Sequence, residues 1–312
     1  MPPGRPEISP QPVCRRGLHD GLTPKGLTLQ QAQHLTGMKN LALWKRAVAE
    51  AWVQLLVSSV VLIGFGWLFV WLMSLIKVGA WTTLLSLLPD FVHPLFGVPL
   101  ADLATPAGRL SFLYVHVVTL LVCLGWVIGR GSDLVSGRIA RGTMELLITL
   151  PVRRVTVLAI PSVISTVGSA VLAVSVWLGS WVGLKTVDLG GKVELARFWP
   201  GVVNLFAMVF CLGGVTALLS SWDRDRWRTI WLAGGYFVLS AIIDMVSCLW
   251  KPAAWLSYAT FLSAFDPQRL ILIREGAWRV TLESSAALIG LGLLGYAAAA
   301  VIFSLRDVPV PR

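Results

Sequence analysis

Six stretches of the chain are almost unbroken in apolar residues: 53–76, 110–130, 155–182, 199–221, 229–250 and 284–305. A helix needs about 20 such residues to cross the hydrocarbon core of a bilayer. Each stretch has at most one ionisable residue away from its ends. The pattern predicts an all-α, polytopic membrane protein with six transmembrane helices over residues 38–308. Just before the first stretch, Leu41, Trp44, Val48, Trp52 and Leu55 recur at helical spacing, while Lys45, Arg46 and Glu50 fall on other faces. This reads as an N-terminal amphipathic helix in the membrane interface that bends into the first span; a plain continuation of that span is the competing reading. Residues 1–37 are polar and proline-rich, and "LTLQQAQHLTG" is their one helix-like stretch. They are expected to be a disordered tail or to precede a true start at Met38, and they lack the apolar core of a secretory signal. Residues 309–312 read as a C-terminal tail. The apolar segments 81–97 and 253–273 are too short or too interrupted to span, and are expected to form interfacial or re-entrant helices.

Charge sets the expected orientation. Thirteen Lys and Arg fall in 39–52, 130–154, 222–228 and 306–312, against nine in the longer segments 77–109, 183–198 and 251–283. Cytoplasmic loops carry the excess of Lys and Arg. The denser set is therefore expected inside, with both termini cytoplasmic and the chain in the inner (plasma) membrane. Composition agrees with this class: 56% of residues are hydrophobic, 13% are charged, and 15 are tryptophans. The net charge of +10 sits beside apolar runs, where topology and lipid headgroups call for it. With no basic–aromatic recognition module, nucleic acid is not expected as a partner.

Catalytic and metal-binding signatures are missing from the sequence. There is no GxxxxGK[ST] loop, no HExxH and no GxSxG; "GGKVEL" lacks the first glycine and the final hydroxyl. The four histidines and six methionines are scattered, and Cys14, Cys123, Cys211 and Cys248 form no paired motif. No metal site, disulfide framework or catalytic residue is expected. Asp223 and Asp225 alternate with arginines in "WDRDRWR", which reads as a solvated ion-pair cluster.

One charged segment stands out between two spans, "GRIARGTMELLITLPVRR" from Gly137 to Arg154. Thr143 after Gly142 is an N-cap candidate. Glu145 would then sit in the first turn, where the helix dipole favours an anion. Leu146, Leu147 and Leu150 form an apolar face, and Pro151 ends the helix, with Arg153 and Arg154 beyond. A short cytoplasmic helix with a leucine face needs a surface to cover it, either lipid headgroups or a protein.

Gly137, Gly142, Thr143, Glu145, Leu146, Leu147, Pro151 and Arg153 together resemble the coupling-helix signature of ABC-2 type transporter permeases. The resemblance extends over 39–308, through the entry helix, six spans, "DLATPAGRL" before the second span and "FSLRD" at 303–307. In style it is nearest to permeases of nitrous-oxide-reductase maturation and gliding motility. The family often has acids near positions 138 and 140, where this chain has Arg138 and Ala140. The resemblance implies an exporter permease without an ATPase of its own. A separate ATP-binding cassette subunit would bind ATP and Mg and receive the coupling residues Arg141, Gly142, Thr143, Glu145, Leu146, Leu147, Pro151 and Arg153. Two permeases, identical or different, would pair with two ATPases.

Asp244 is the one acid well inside a span, and intramembrane carboxylates are functional candidates. Ser162, Ser165 and Ser169, with Thr166, form a polar stripe on the third span. Both are candidates for a translocation path; buried hydrogen bonding for Asp244 and helix packing for the stripe are the rival readings. Ala286/Gly290 and Gly295/Ala299 are small pairs suited to packing the last span. A secondary transporter or channel, and a non-transporting scaffold that recruits a cytoplasmic protein, are the alternative functions. The transported substrate has no signature.

Overall fold

The computed structural model describes residues 29–76, 78–87, 89, 95, 97–143, 154–189, 191–273 and 275–305, with side chains from residue 43 onward except at 78 and 154. The chain divides into two compact units, Met1–Ala42 and Leu43–Arg312. In the first, residues 29–42 are helical. Helix α1 (Leu29–Leu75) contributes Leu43–Leu75 to the second unit. There follow α2 (Val78–Ser86), α3 (Leu100–Leu103), α4 (Pro106–Val115), α5 (Val117–Ser132), α6 (Ser136–Ala140), α7 (Arg154–Thr186), α8 (Trp199–Trp222), α9 (Arg226–Leu249), α10 (Pro267–Leu272) and α11 (Ala277–Leu305). No strand occurs among the described residues.

Six helical segments are long and apolar enough to cross a membrane: Leu43–Leu75, Pro106–Ser132, Val155–Thr186, Leu195–Trp222, Arg226–Leu249 and Ala277–Leu305. They match the six expected spans. The amphipathic entry segment and the first span are one continuous helix from Leu43 to Leu75. Ala47 and Ala51 face the core, while Trp44, Val48 and Trp52 are exposed on the outer stripe. The small residues permit close packing, and the aromatic stripe suits the membrane interface.

Helix α8 lies at the centre of the second unit. Its apolar window is 72% buried, against 17–50% for the other five. It crosses α11 at backbone contact. A β-carbon on Gly214 would run into the carbonyl oxygen of Gly292, and one on Gly295 would lie 2.6 Å from the Gly214 carbonyl carbon. Small residues let helices approach this closely. Gly295 and Ala299 belong to the buried face of α11, as the small-pair pattern suggested. Ala286 is exposed and Gly290 faces open space, so that pair does not pack against another helix among the described residues. The buried residues at that level are Ser285, Leu288 and Gly292. The helical period places them on the other face.

The second span is two helices. At His116 the backbone becomes extended (φ −66°, ψ 140°), and α5 restarts with the His116 ring nitrogen Nδ1 accepting from the Val118 amide at 3.2 Å. The interruption frees the Leu113 carbonyl, and the Thr119 hydroxyl donates to it at 2.7 Å. Away from water such groups must be satisfied internally. Arg109, only 1% exposed, performs the same service at the far end of α1. Its guanidinium donates to the carbonyls of Met73, Ile76 and Leu189 at 3.4, 3.2 and 3.1 Å. It thereby ties α4 to the end of α1 and to the chain following α7. The "DLATPAGRL" motif is built for this: Thr105 caps α4, Pro106 occupies its first position, and Arg109 points into the core. Short helices cover this end, as the apolar loops suggested: α2, α10 and 3-10 turns at Lys251–Ala259 and Phe261–Ala264. Asn204 of α8, fully buried, anchors them by donating to the Ala264 carbonyl (2.9 Å) and accepting the Asp266 amide (3.1 Å).

Candidate functional site

The distinctive segment begins with a helix that the sequence pattern did not reveal, α6. Its end explains the Gly-Thr pair. Gly142 has φ +67°, a conformation open to glycine and costly to other residues. Its amide donates to the Ile139 carbonyl at 3.0 Å, and the Thr143 amide reaches back to the Arg138 carbonyl at 3.0 Å. These two bonds are the Schellman stop, which closes off orphan carbonyls at a helix C-terminus. The Thr143 hydroxyl adds a third bond, donating to the Arg138 carbonyl at 3.2 Å. Gly142 and Thr143 therefore terminate α6. The expected cap of a following helix by Thr143 concerns the amides of residues 145 and 146. Those residues, like the candidate side chains of Glu145, Leu146, Leu147, Pro151 and Arg153, lie outside the described residues.

A knot of buried hydroxyls fixes the start of α6. Ser132, Ser136, Ser220 and Thr229 are all fully buried. The Ser220 oxygen accepts the amides of Val135 and Ser136 at 3.2 and 3.1 Å. It acts as a cap supplied by another helix. Ser220 and Ser136 both donate to the Ser132 carbonyl, at 3.2 and 2.9 Å, and the Thr229 hydroxyl lies 3.0 Å from that of Ser136. The knot joins the end of α5, the start of α6, the end of α8 and the start of α9. "WDRDRWR" contributes to the same end: Asp225 caps α9 through the Trp227 amide (2.9 Å), and Arg228 pairs with Asp223 at 3.3 Å. Arg226 turns inward instead, 3.4 Å from Asp133.

Asp133 also receives Arg141 at 2.8 Å. Gly137 makes room for this pair, because a β-carbon there would run into the Asp133 carboxylate. Arg138 turns the other way and donates through Nη1 to the Val157 carbonyl at 3.3 Å. That carbonyl is available because Pro161, four residues later in α7, has no N–H to give it. Burial lowers the basicity of the Arg138 guanidinium, the carboxylates of Glu50 and Asp133 oppose that shift, and Arg130 and Arg46 add to it. Arg130, 8% exposed, reaches the Glu50 carbonyl at 3.4 Å and sits 6.0 Å over the Trp126 ring. Around these groups lies a cleft of about 350 Å³ whose lining includes Arg46, Glu50, Arg130, Asp133, Arg138, Arg141 and Thr143.

The other candidates are elsewhere. Ser162, Ser165 and Ser169 are buried in the first half of α7. The hydroxyls of Ser162 and Ser169 donate to the carbonyls of Leu158 and Ser165, and the Trp126 indole also donates to the Ser165 carbonyl. The stripe packs against α5 at Trp126. Asp244 is partly exposed near the far end of α9 and has no ion-pair partner among the described residues. Its charge acts on Asp266 of the end cap. No hydrogen bond or ion pair among the described residues joins Asp244 to the serines.

An all-helical chain with six membrane-length apolar helices, and polar groups paired internally where the helices break, is a multi-pass membrane protein. No protein-family model, curated protein or solved structure matches it.

Proposed function

We propose that the chain is the permease subunit of an ABC transporter of the ABC-2 type, an exporter in the inner membrane. In this reading the basic end and both termini are cytoplasmic. The segment from Gly137 to Arg154 docks on a separate ATP-binding cassette subunit, which binds ATP and Mg and hydrolyses the nucleotide. Two permeases, identical or different, combine with two ATPases.

The observation that carries the reading is the hydroxyl knot under α6. A lever must be rigidly attached to what it moves. Ser220 and Ser136 bind the start of the segment to the ends of α5, α8 and α9, and α8 is the helix with the most buried apolar window. A displacement of the segment by a closing ATPase would pass directly to the central helix. The leucine face at 146, 147 and 150 suits a helix-in-groove contact.

Co-purification from native membranes tests this. The expected partner has a nucleotide-binding fold, and the double substitution Leu146→Asp with Leu147→Asp weakens its retention without lowering the yield of the permease. A retained partner of any other fold, or retention indifferent to the leucines, removes the exporter reading.

A further inference from the structure

The basic cleft beside α6 has a chemistry that coupling to an ATPase does not require. Four guanidinium groups line it, from Arg46, Arg130, Arg138 and Arg141, against two carboxylates, Glu50 and Asp133. Both acids are already engaged: Glu50 with Arg46 at 2.9 Å, and Asp133 with Arg141 at 2.8 Å and Arg226 at 3.4 Å. Arg130 and Arg138 have no carboxylate at ion-pair distance among the described residues. The Nε of Arg130 is buried and has no hydrogen-bond partner there. Two poorly solvated cations with unspent donors make an anion site, because a buried charge is costly unless it is paired.

The position of the cleft narrows the anion. Its walls include the first turns of the Leu43–Leu75 span and of α7 and the last turn of α5, where apolar stretches reach their polar ends. That is the depth of lipid headgroups. The lining also has an apolar part, formed by Leu43, Ala47, Val157, Ile160 and Pro161. A guanidinium fork matches a phosphate, and an apolar wall beside it suits the start of an acyl chain. We propose that this cleft binds the phosphate of an anionic phospholipid through Arg130 and Arg138. The site is independent of whether an ATPase docks on the same end.

Native mass spectrometry of the full chain in detergent tests it, with phosphatidylglycerol and phosphatidylcholine of identical acyl chains as probes. The unaltered chain retains phosphatidylglycerol about tenfold more strongly, because the choline cation of phosphatidylcholine is repelled by the guanidinium groups that hold the phosphate both lipids share. R138Q brings the two lipids to similar retention. R279Q, in the exposed pair Arg279–Glu283, keeps the preference. Equal retention of both lipids by the unaltered chain overturns the proposal, and needs no variant to fold. Equal loss in R138Q and R279Q overturns it as well, since the effect would then be net charge alone. Displacement of the lipid by millimolar inorganic phosphate would assign the cleft to a soluble anion and overturn the lipid assignment.

Discussion

A guanidinium at position 138 finds its place because a proline stands at 161. Pro161 strips the Val157 carbonyl of its helical donor, and Arg138 supplies another. The two residues should therefore be thermodynamically coupled. Arg138→Ala alone leaves a carbonyl unpaired, at a cost of about 1–3 kcal/mol. In a Pro161→Ala background the helix regains its own N–H, and the cost of losing Arg138 should fall by about 1 kcal/mol. A double-mutant cycle in thermal unfolding reads this directly. Ser220→Ala should also destabilise, by about 1–3 kcal/mol, because it removes the acceptor of two buried amides at once. Neither pairing was legible beforehand. Arg138 drew notice only as a basic residue where the resembled family often has an acid. Ser220 is one hydroxyl in a run of small residues, and its partners are more than 80 positions away. Hydrophobic periodicity carries no information about such pairs.

At the scale of elements, the spans were readable because about 20 apolar residues in a row leave a helix few alternatives. The break at His116 was not, since neither proline nor glycine marks it; a histidine cap and the Thr119 hydroxyl sustain it instead. The Gly-Thr pair was read as a helix boundary, the start of a next helix; that it ends α6 was not legible. A five-residue helix has too few turns to show a period. Gly142→Ala should destabilise by about 1 kcal/mol, through the left-handed angle at the Schellman stop, with little loss of helical circular dichroism. Gly292→Val should cost more, about 1–3 kcal/mol, by forcing α8 and α11 apart.

The end cap makes a pH-dependent prediction. Burial raises the Asp266 carboxyl above the usual range; the Arg269 amide and charge pull it down, and Asp244 pushes it further up. An unfolded aspartate titrates at about 3.9. Between that value and the raised one, the folded chain holds a proton that the unfolded chain has released. Stability should therefore fall as pH rises through this window and stay lower above it. Asp266→Asn keeps an oxygen to accept the Arg269 amide. It should leave the neutral-pH melting temperature equal or higher and remove this part of the pH dependence. Asp266→Ala should lower stability by about 1 kcal/mol through loss of the cap.

The second unit, nearly the whole molecule, has two ends of different character. One end is closed by short helices pinned through Arg109 and Asn204. The other is basic and holds α6 through three buried hydroxyls, of Ser136, Ser220 and Thr229, with the proposed docking segment leading on from it. Between the ends, the serine stripe meets Trp126, and Asp244 acts on Asp266 of the end cap. The central claim is that the basic end receives an ATPase. Its most direct measurement is magnesium-dependent ATP hydrolysis in the tagged chain purified from its native membrane. The account predicts hydrolysis above an untagged control, reduced at least about tenfold when Leu146→Asp and Leu147→Asp are combined at equal yield of the chain. A well-folded chain that brings no ATPase activity with it, or activity unchanged by the leucine substitutions, would contradict the account.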